Sequence, residues 1–304
     1  MATFTYWRTM NKLVIKQRLM ALALAAAALT VGVPLPANAQ SQPQAGDGVD
    51  RLTVHLSDPS QPGTVKASLI NGGITVKAYD GKDVIIEART RDWSPGPPHP
   101  PGPPPGMHRL TVGTTGLTAD EENNEVDIST ESIWRTVDLT ITVPVHTSLS
   151  LRTVNNGGIT VTGIDGDIEL TSVNGGATLN NVAGSVVTHT INGTLNATFA
   201  RLNPSKPVAL SSMNGDIDLT LPADAKATFN LHSDRGGVYS DFDVQFQSTA
   251  RHEWSTENGG GEETGKYHVR IGGAVHGTIN GGGTDVQLSN FNGNIYIHKA
   301  GASH

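Results

Sequence analysis

Two pairs of carboxylates are spaced so that they could act together on a sugar bond. Asp216 with Asp218, and Asp241 with Asp243, are two residues apart, so in a strand both members of a pair face the same side. Glycosidases use two carboxylates on either side of the bond they cleave, but these usually come from distant chain positions. We therefore interpret both pairs as polar surface and predict no catalytic residues.

The histidines and serines have no spacing typical of a catalytic or metal site. The 11 histidines form neither H-E-x-x-H nor H-x-H; His99 and His108 lie around a Pro-rich stretch, and His276 and His298 near the end. The nucleophile elbow G-x-S-x-G does not occur in the sequence. We predict no enzyme activity, no metal and no cofactor.

Aromatic residues could form a binding surface for a glycan or a protein partner. The candidates are Trp93, Trp134, Trp254, Tyr239 and Phe242. Stacked repeats must also cover their terminal units, for which bulky aromatic side chains are suited. We favour packing and capping over ligand binding for this group.

The elements that would position these side chains follow a nine-residue repeat. Glycine recurs at Gly157, Gly166, Gly175, Gly184 and Gly193. Aligned on it, the units read NGGITVTGI, DGDIELTSV, NGGATLNNV, AGSVVTHTI and NGTLNATFA, with mostly apolar residues at positions four, six and nine. Calcium-binding nonapeptides carry a column of Asp, whereas Asp165, Asp167 and Asp216 occupy different places here, so we predict no calcium array.

Residue parity decides between two all-β architectures. Asn-Gly between segments of alternating polar and apolar residues is typical of hairpins. In a flat strand, however, the residues at positions six and nine would point to opposite faces. Both can point to the interior only if the chain bends between them. We predict an all-β fold, a β-solenoid or parallel β-helix-like roll of degenerate NGxI-type repeats, with two nine-residue sides per coil. Asn156, Asn174 and Asn192 would then form a ladder, and Gly175 would need a positive φ. The expected interior residues are Ile159, Val161, Ile164, Ile168, Leu170, Val173, Leu179 and Val182.

The chain begins with the features of a secretory signal. Lys12, Lys16 and Arg18 precede an apolar stretch, and Ala37-Asn38-Ala39 is a small-x-small cleavage site. We predict a signal peptide over 1–39, a flexible leader over 40–50 and a β-solenoid domain over 51–300. The segment 94–106, SPGPPHPPGPPPG, is expected to be an exposed Pro-rich loop inserted in that domain. The membrane anchor is the alternative interpretation of 1–39, and we expect no membrane span after cleavage.

The charge balance argues against nucleic-acid binding. Residues 1–39 contain four of the 21 basic residues and no acidic one, so the remainder has 17 basic against 28 acidic residues, a net charge of −11. Such an acidic chain is poorly suited to nucleic acid. The chain has no cysteine, so stability must come from a continuous core and backbone ladders.

Three segments resemble a known family. VNNGGITVTGIDGDIELTSVNG, SSMNGDIDLTLPADA and GGAVHGTINGGGTDVQLSNFNGNIYI look like the DUF4097 adhesin-type family, over about 126–300 and more weakly 50–91. The resemblance implies an exported or membrane-associated bacterial β-repeat protein with a solenoid-like domain. It implies no catalytic residues.

The function expected from the sequence is non-enzymatic interaction or scaffolding in the bacterial envelope. The protein would be exported to the periplasm, the outer-membrane surface or the medium, and its partner would be an envelope protein or a glycan. Two alternatives remain open at this point: a carbohydrate-active β-helix enzyme, in which charged groups from separated coils converge in a cleft, and an envelope-stress signalling accessory.

Overall fold

The computed structural model describes residues 49–91, 115–130, 135–246, 267–269 and 275–301, and the following statements concern these ranges. They contain 22 strands and no helix. No helix long and apolar enough to span a membrane occurs among the described residues. The predicted signal peptide and the Pro-rich segment 94–106 lie outside them, and the first strand begins at Val49.

The strands have the following bounds: β1 Val49–His55, β2 Thr64–Asn71, β3 Ile74–Tyr79, β4 Asp83–Thr90, β5 Leu117–Glu122, β6 Glu125–Thr130, β7 Val137–Pro144, β8 Ser148–Asn155, β9 Ile159–Thr162, β10 Ile168–Ser172, β11 Ala177–Val182, β12 Val186–Asn192, β13 Leu195–Phe199, β14 Val208–Asn214, β15 Ile217–Leu221, β16 Ala227–Ser233, β17 Val238–Ser240, β18 Gln245–Phe246, β19 Tyr267–Val269, β20 Val275–Ile279, β21 Thr284–Asn292 and β22 Ile295–Lys299.

Two sheets of eleven strands form the walls of a solenoid. Sheet A has the order β1-β4-β7-β3-β9-β11-β13-β15-β22-β17-β19, and sheet B the order β18-β20-β16-β21-β14-β12-β10-β8-β2-β6-β5. The chain passes from a strand of sheet B to one of sheet A in each coil, as from β8 to β9 and from β10 to β11. Neighbouring coils pair in parallel, which confirms the predicted solenoid over the antiparallel meander.

The register confirms two nine-residue sides per coil in the central part. Ile159 lies beside Ala177, and Ala177 beside Leu195, each a step of 18 residues. The next step, from Leu195 to Ile217, is 22 residues because the segment 200–207 is inserted between β13 and β14. A regular rise of about 4.8 Å per coil follows from this strand pairing.

The order of coils in space differs from their order in the chain at both ends. The coil β2–β3 lies between β6–β7 and β8–β9, and the last coil, β21–β22, lies between β14–β15 and β16–β17. Antiparallel strands then flank the parallel stack, with β1, β4 and β5 at one end and β18, β19 and β20 at the other. This cross-over was not predicted, because each repeat is too similar to the others to specify its neighbour.

The predicted interior is confirmed except at Val173. The residues predicted to be inside and found almost completely buried are Ile159, Val161, Ile164, Ile168, Leu170, Leu179 and Val182. Val173 instead lies on the outer face, because β10 keeps its alternation and turns Ser172 inward. On the sheet A side the chain does bend, with Asn181 at φ 54°, so Val182 returns to the interior.

A column of glycines follows one corner; Gly72, Gly215 and Gly293 of this column have a positive φ, whereas Gly175 does not. Gly175 is absent from the positions with positive φ, so that part of the prediction is wrong. A β-carbon on Gly175 would lie 2.2 Å from the carbonyl oxygen of Gly157, and one on Gly193 would lie 2.4 Å from that of Gly175. Successive coils therefore approach so closely at this corner that no side chain fits between them.

An asparagine ladder follows the same corner. Asn174 donates from Nδ2 to Oδ1 of Asn155 at 2.7 Å, Asn192 to Asn174 at 2.8 Å, and Asn214 to Asn192 at 2.8 Å. The predicted members Asn174 and Asn192 are confirmed, but Asn155 takes the place expected for Asn156. This shift occurs because Asn156 is an extra residue in its coil and adopts a φ of 63°.

Candidate interaction surfaces

The outer face of sheet B carries a continuous row of apolar side chains. The row crosses six neighbouring strands and consists of Ile70, Val154, Val173, Ile191, Met213 and Phe291, here called the apolar stripe. The exposed fraction is 52% for Ile70, 48% for Met213 and 39% for Phe291. Six strands at about 4.8 Å spacing make the stripe about 24 Å long.

Local sequence explains why apolar side chains face outward here. At four of the six stripe positions the preceding residue points inward and is small and polar, namely Thr153, Ser172, Thr190 and Ser212; before Ile70 it is the core residue Leu69 and before Phe291 it is Asn290. Thr190 and Ser212 both lie 3.3 Å from the carbonyl oxygen of Gly193, so these hydroxyls hydrogen bond to the backbone of the glycine corner. Alternation in the strand then places the next residue, the position-nine residue of the repeat, on the outside.

Polar rows border the stripe on both sides. The asparagine ladder lies beside it at the corner, and a row containing Arg152, Thr171, His189 and Ser211 lies on the other side. At one end of the stripe, the guanidinium carbon of Arg235 lies 5.1 Å from the centre of the Phe291 ring. This arrangement has an apolar centre and a polar rim, which is the usual organisation of a protein interface.

On the outer face of sheet A, the fold brings together acidic, histidine and aromatic residues that the sequence analysis considered separately. Asp218, Asp241 and His298 come from different coils; Nδ1 of His298 lies 3.1 Å from Asp241, and its Nε2 lies 3.3 Å from Asp218. The Tyr239 ring stacks on Tyr296, with centroids 5.2 Å apart and planes 16° apart. Sequence reasoning missed Tyr296, because the pairing of β22 with β17 is not visible in the repeat.

The other predicted candidates have structural roles or lie apart. Oδ1 of Asp216 accepts a hydrogen bond from the Asn294 amide at 2.7 Å and so caps a corner. Asp243 is exposed, and Phe242 is buried in the core. His276 is exposed on β20. Trp93, Trp134, Trp254, His99 and His108 lie outside the described residues.

Two of the carboxylates considered for calcium, Asp165 and Asp167, are engaged in ion pairs. Arg201 lies 2.6 Å from Asp165, and Lys206 lies 2.7 Å from Asp167. The inserted segment 200–207 thus packs back on the second corner. Among the residues that the structure describes, no group of three or more His, Asp or Glu is arranged to hold a metal ion.

Comparison with known families agrees with this architecture. The model of the Toastrack DUF4097 family matches residues 147–281. The matched region begins at the turn before β8 and ends just after β20, so it includes the central coils and most of the apolar stripe.

Two crystal structures are similar to this chain at low identity. One is a "putative cell adhesion protein" from Clostridium sporogenes, with 11% identity, a TM-score of 0.42, and coverage of 83% of this chain and 99% of the other. The second is a "putative adhesin" from Bacteroides fragilis, with 15% identity, a TM-score of 0.31, and coverage of 83% and 98%. None of the curated proteins matches this sequence.

Proposed function

We propose that the chain is an exported, non-enzymatic Toastrack protein of the bacterial envelope that binds a protein partner through its apolar stripe, as an adhesin or a scaffold. The single observation that carries this proposal is the outward row from Ile70 to Phe291, in which Ile70, Met213 and Phe291 are exposed and the other three side chains are half-buried, and which no described part of the chain covers. Contiguous exposed apolar surface is typical of protein interaction sites.

The chemistry of the stripe favours a protein over a polysaccharide. Five of the six side chains are Ile, Val or Met, which present no ring face and no hydrogen-bonding group. A stable interface needs about 800 Å² from each partner. The asparagine ladder and the polar row that contains Arg152, Thr171, His189 and Ser211 would supply the rest of that area as a polar rim.

The proposed export rests on the N-terminal sequence. We propose a signal peptide over 1–39, a leader over 40–50 and one solenoid domain over 51–300 with the inserted loop 94–106. N-terminal sequencing of the protein from fractionated cells is expected to show a chain that starts at Gln40 in an envelope or secreted fraction. A chain that keeps residues 1–39 in the cytoplasm would contradict export.

Photocrosslinking in living cells tests the interaction surface. A photoreactive amino acid is placed at Met213 on the stripe, and at Thr160 on the outer face of sheet A as the matched control. We expect a discrete protein adduct from position 213 only, and its loss when Ile191→Asp adds a charge to the stripe. Equal adducts from both positions, or an adduct unaffected by the charge, would contradict the proposal.

A carbohydrate-active enzyme is the second candidate, because Asp218, Asp241 and His298 converge from separate coils. In this arrangement the imidazole lies between the two carboxylates and occupies the space that a scissile bond would need. Polysaccharide hydrolysis that disappears in Asp241→Asn would establish the enzyme in place of the interaction module.

A further inference from the structure

The outer face of sheet A changes character at its C-terminal coils. One outward row runs across eight paired strands through Thr140, Thr75, Thr160, Thr178, Asn196, Asp218, Tyr296 and Tyr239. Short polar side chains occupy its first six positions, and aromatic rings its last two. Since every strand offers the same outward position, the rings are a local feature and not a requirement of the repeat.

We propose that this aromatic end of the row is a saccharide-binding site, formed by Tyr296, Tyr239 and His298 together with Asp218. The site lies on a different sheet from the apolar stripe and does not depend on the proposed protein partner. Its ligand would be one or two sugar rings of an envelope or host polysaccharide.

Ring geometry is the first argument. Tyr239 and Tyr296 stack with planes 16° apart, and the Tyr296 and His298 rings are within 9° of parallel, with centroids 6.1 Å apart. Stacking covers part of each ring face, so the surface left for a ligand consists of the uncovered parts of these nearly parallel faces and of the ring edges. Such surface packs against the apolar C–H face of a pyranose, while the polar tips of the rings stay in water.

Hydrogen-bonding capacity is the second argument. Nδ2 of Asn294 donates to the Tyr296 hydroxyl at 3.0 Å, which fixes the ring and leaves the phenolic proton to be donated outward. Asp218 meets His298 at 3.3 Å through one oxygen, so its other lone pairs can accept from sugar hydroxyls. A donor, the Tyr296 hydroxyl, and an acceptor, the Asp218 carboxylate, therefore lie on neighbouring strands of the site.

The shape of the surface is the third argument. Asp218, Tyr239, Ser240, Tyr296 and His298 line a depression of about 510 Å³, within the range of small-ligand sites. The parallel rings do not surround a point, as the rings of a cage for an organic cation do. A flat ligand with hydroxyl groups on its edge fits this geometry better than a compact cation.

Titration of the purified full chain with tetrasaccharides of glucose and of N-acetylglucosamine, after a glycan array, tests the site. We expect at least one saccharide to bind, Tyr296→Ala to weaken it about tenfold or more, and Tyr296→Phe to weaken it less because the ring remains. Thr160→Ala, in the same row three coils away from Asp218, is the matched control and should bind like the wild type.

The outcomes separate this proposal from the protein-binding one. Ile191→Asp on the stripe should leave saccharide binding unchanged, and urea unfolding of each variant shows that a loss of binding is not a loss of fold. An array with no bound saccharide, or equal affinity for Tyr296→Ala and the wild type, would overturn the saccharide site and leave the stripe unaffected.

Discussion

Gly175 lies directly over the backbone of Gly157, and a β-carbon on Gly175 would be 2.2 Å from the Gly157 carbonyl oxygen. Gly175→Ala should therefore lower the free energy of unfolding by about 1–3 kcal/mol, since adding volume to a packed contact forces the backbone apart. Urea unfolding measures this loss.

A substitution at Gly176, the next residue, tests whether the loss of stability follows the closeness of the contact. A β-carbon there would be 2.8 Å from the carbonyl oxygen of Thr194, compared with 2.2 Å at Gly175. We expect Gly176→Ser to lose some stability, but less than Gly175→Ala. An equal loss in the two variants would contradict the close-approach explanation.

Thr188 is buried between two leucines, and an apolar side chain at this position should stabilise the fold. It pairs in register with Leu170 and Leu210, and its Oγ1 has no hydrogen-bond partner among the described residues. Thr188→Val should raise the free energy of unfolding by about 1 kcal/mol. The substitution keeps the shape of the side chain and replaces an unsatisfied buried hydroxyl with a methyl group. Thr190→Val is the control and should give no gain, since Thr190 donates to Gly193.

The asparagine ladder should contribute to stability through shared hydrogen bonds. Asn192 donates to Asn174 and accepts from Asn214, both at 2.8 Å. Asn192→Ala removes both bonds and should cost about 1–2 kcal/mol in urea unfolding. Asn196→Ala, on the exposed face of sheet A, is expected to change little; a similar loss there would show that the ladder adds nothing.

Acid should weaken the end of the stack that contains β5. Burial acts to raise the pKa of the Glu121 carboxyl, but hydrogen bonds from Ser57 and from the Asn124 amide outweigh it, and the pKa lies below its ordinary value of 4.5. A lowered folded-state pKa adds stability that is present above the unfolded-state pKa and is lost as the pH falls through the folded-state value.

Melting temperatures from about pH 7 down to about pH 3 test this linkage. The wild type should exceed Glu121→Gln at neutral pH, and the difference should shrink once the pH falls below the ordinary carboxyl value of 4.5. Glu122→Gln, exposed on the same strand, is the control. A difference that stays constant over the whole range would show that the Glu121 charge is not linked to folding.

The class of fold follows from the amino-acid sequence, because the pattern that encodes it is local and periodic. The apolar positions of the repeat predicted the buried face of strands such as Ile168–Ser172, and the spacing of Gly157, Gly175 and Gly193 predicted coils of 18 residues. These features depend only on which residues close together in the sequence lie on the same face of a strand.

Which coils are neighbours and which faces are exposed depends on contacts between distant parts of the chain. Asp218, Tyr239 and Tyr296 meet because the last coil inserts between two earlier ones, a choice that nearly identical repeats do not encode. Val173 faces outward while Val182 faces inward, because a single bend at Asn181 reverses the parity on one side of the coil alone. Both candidate surfaces result from the order of the coils and from the local backbone conformation. A nine-residue sequence pattern encodes neither of them.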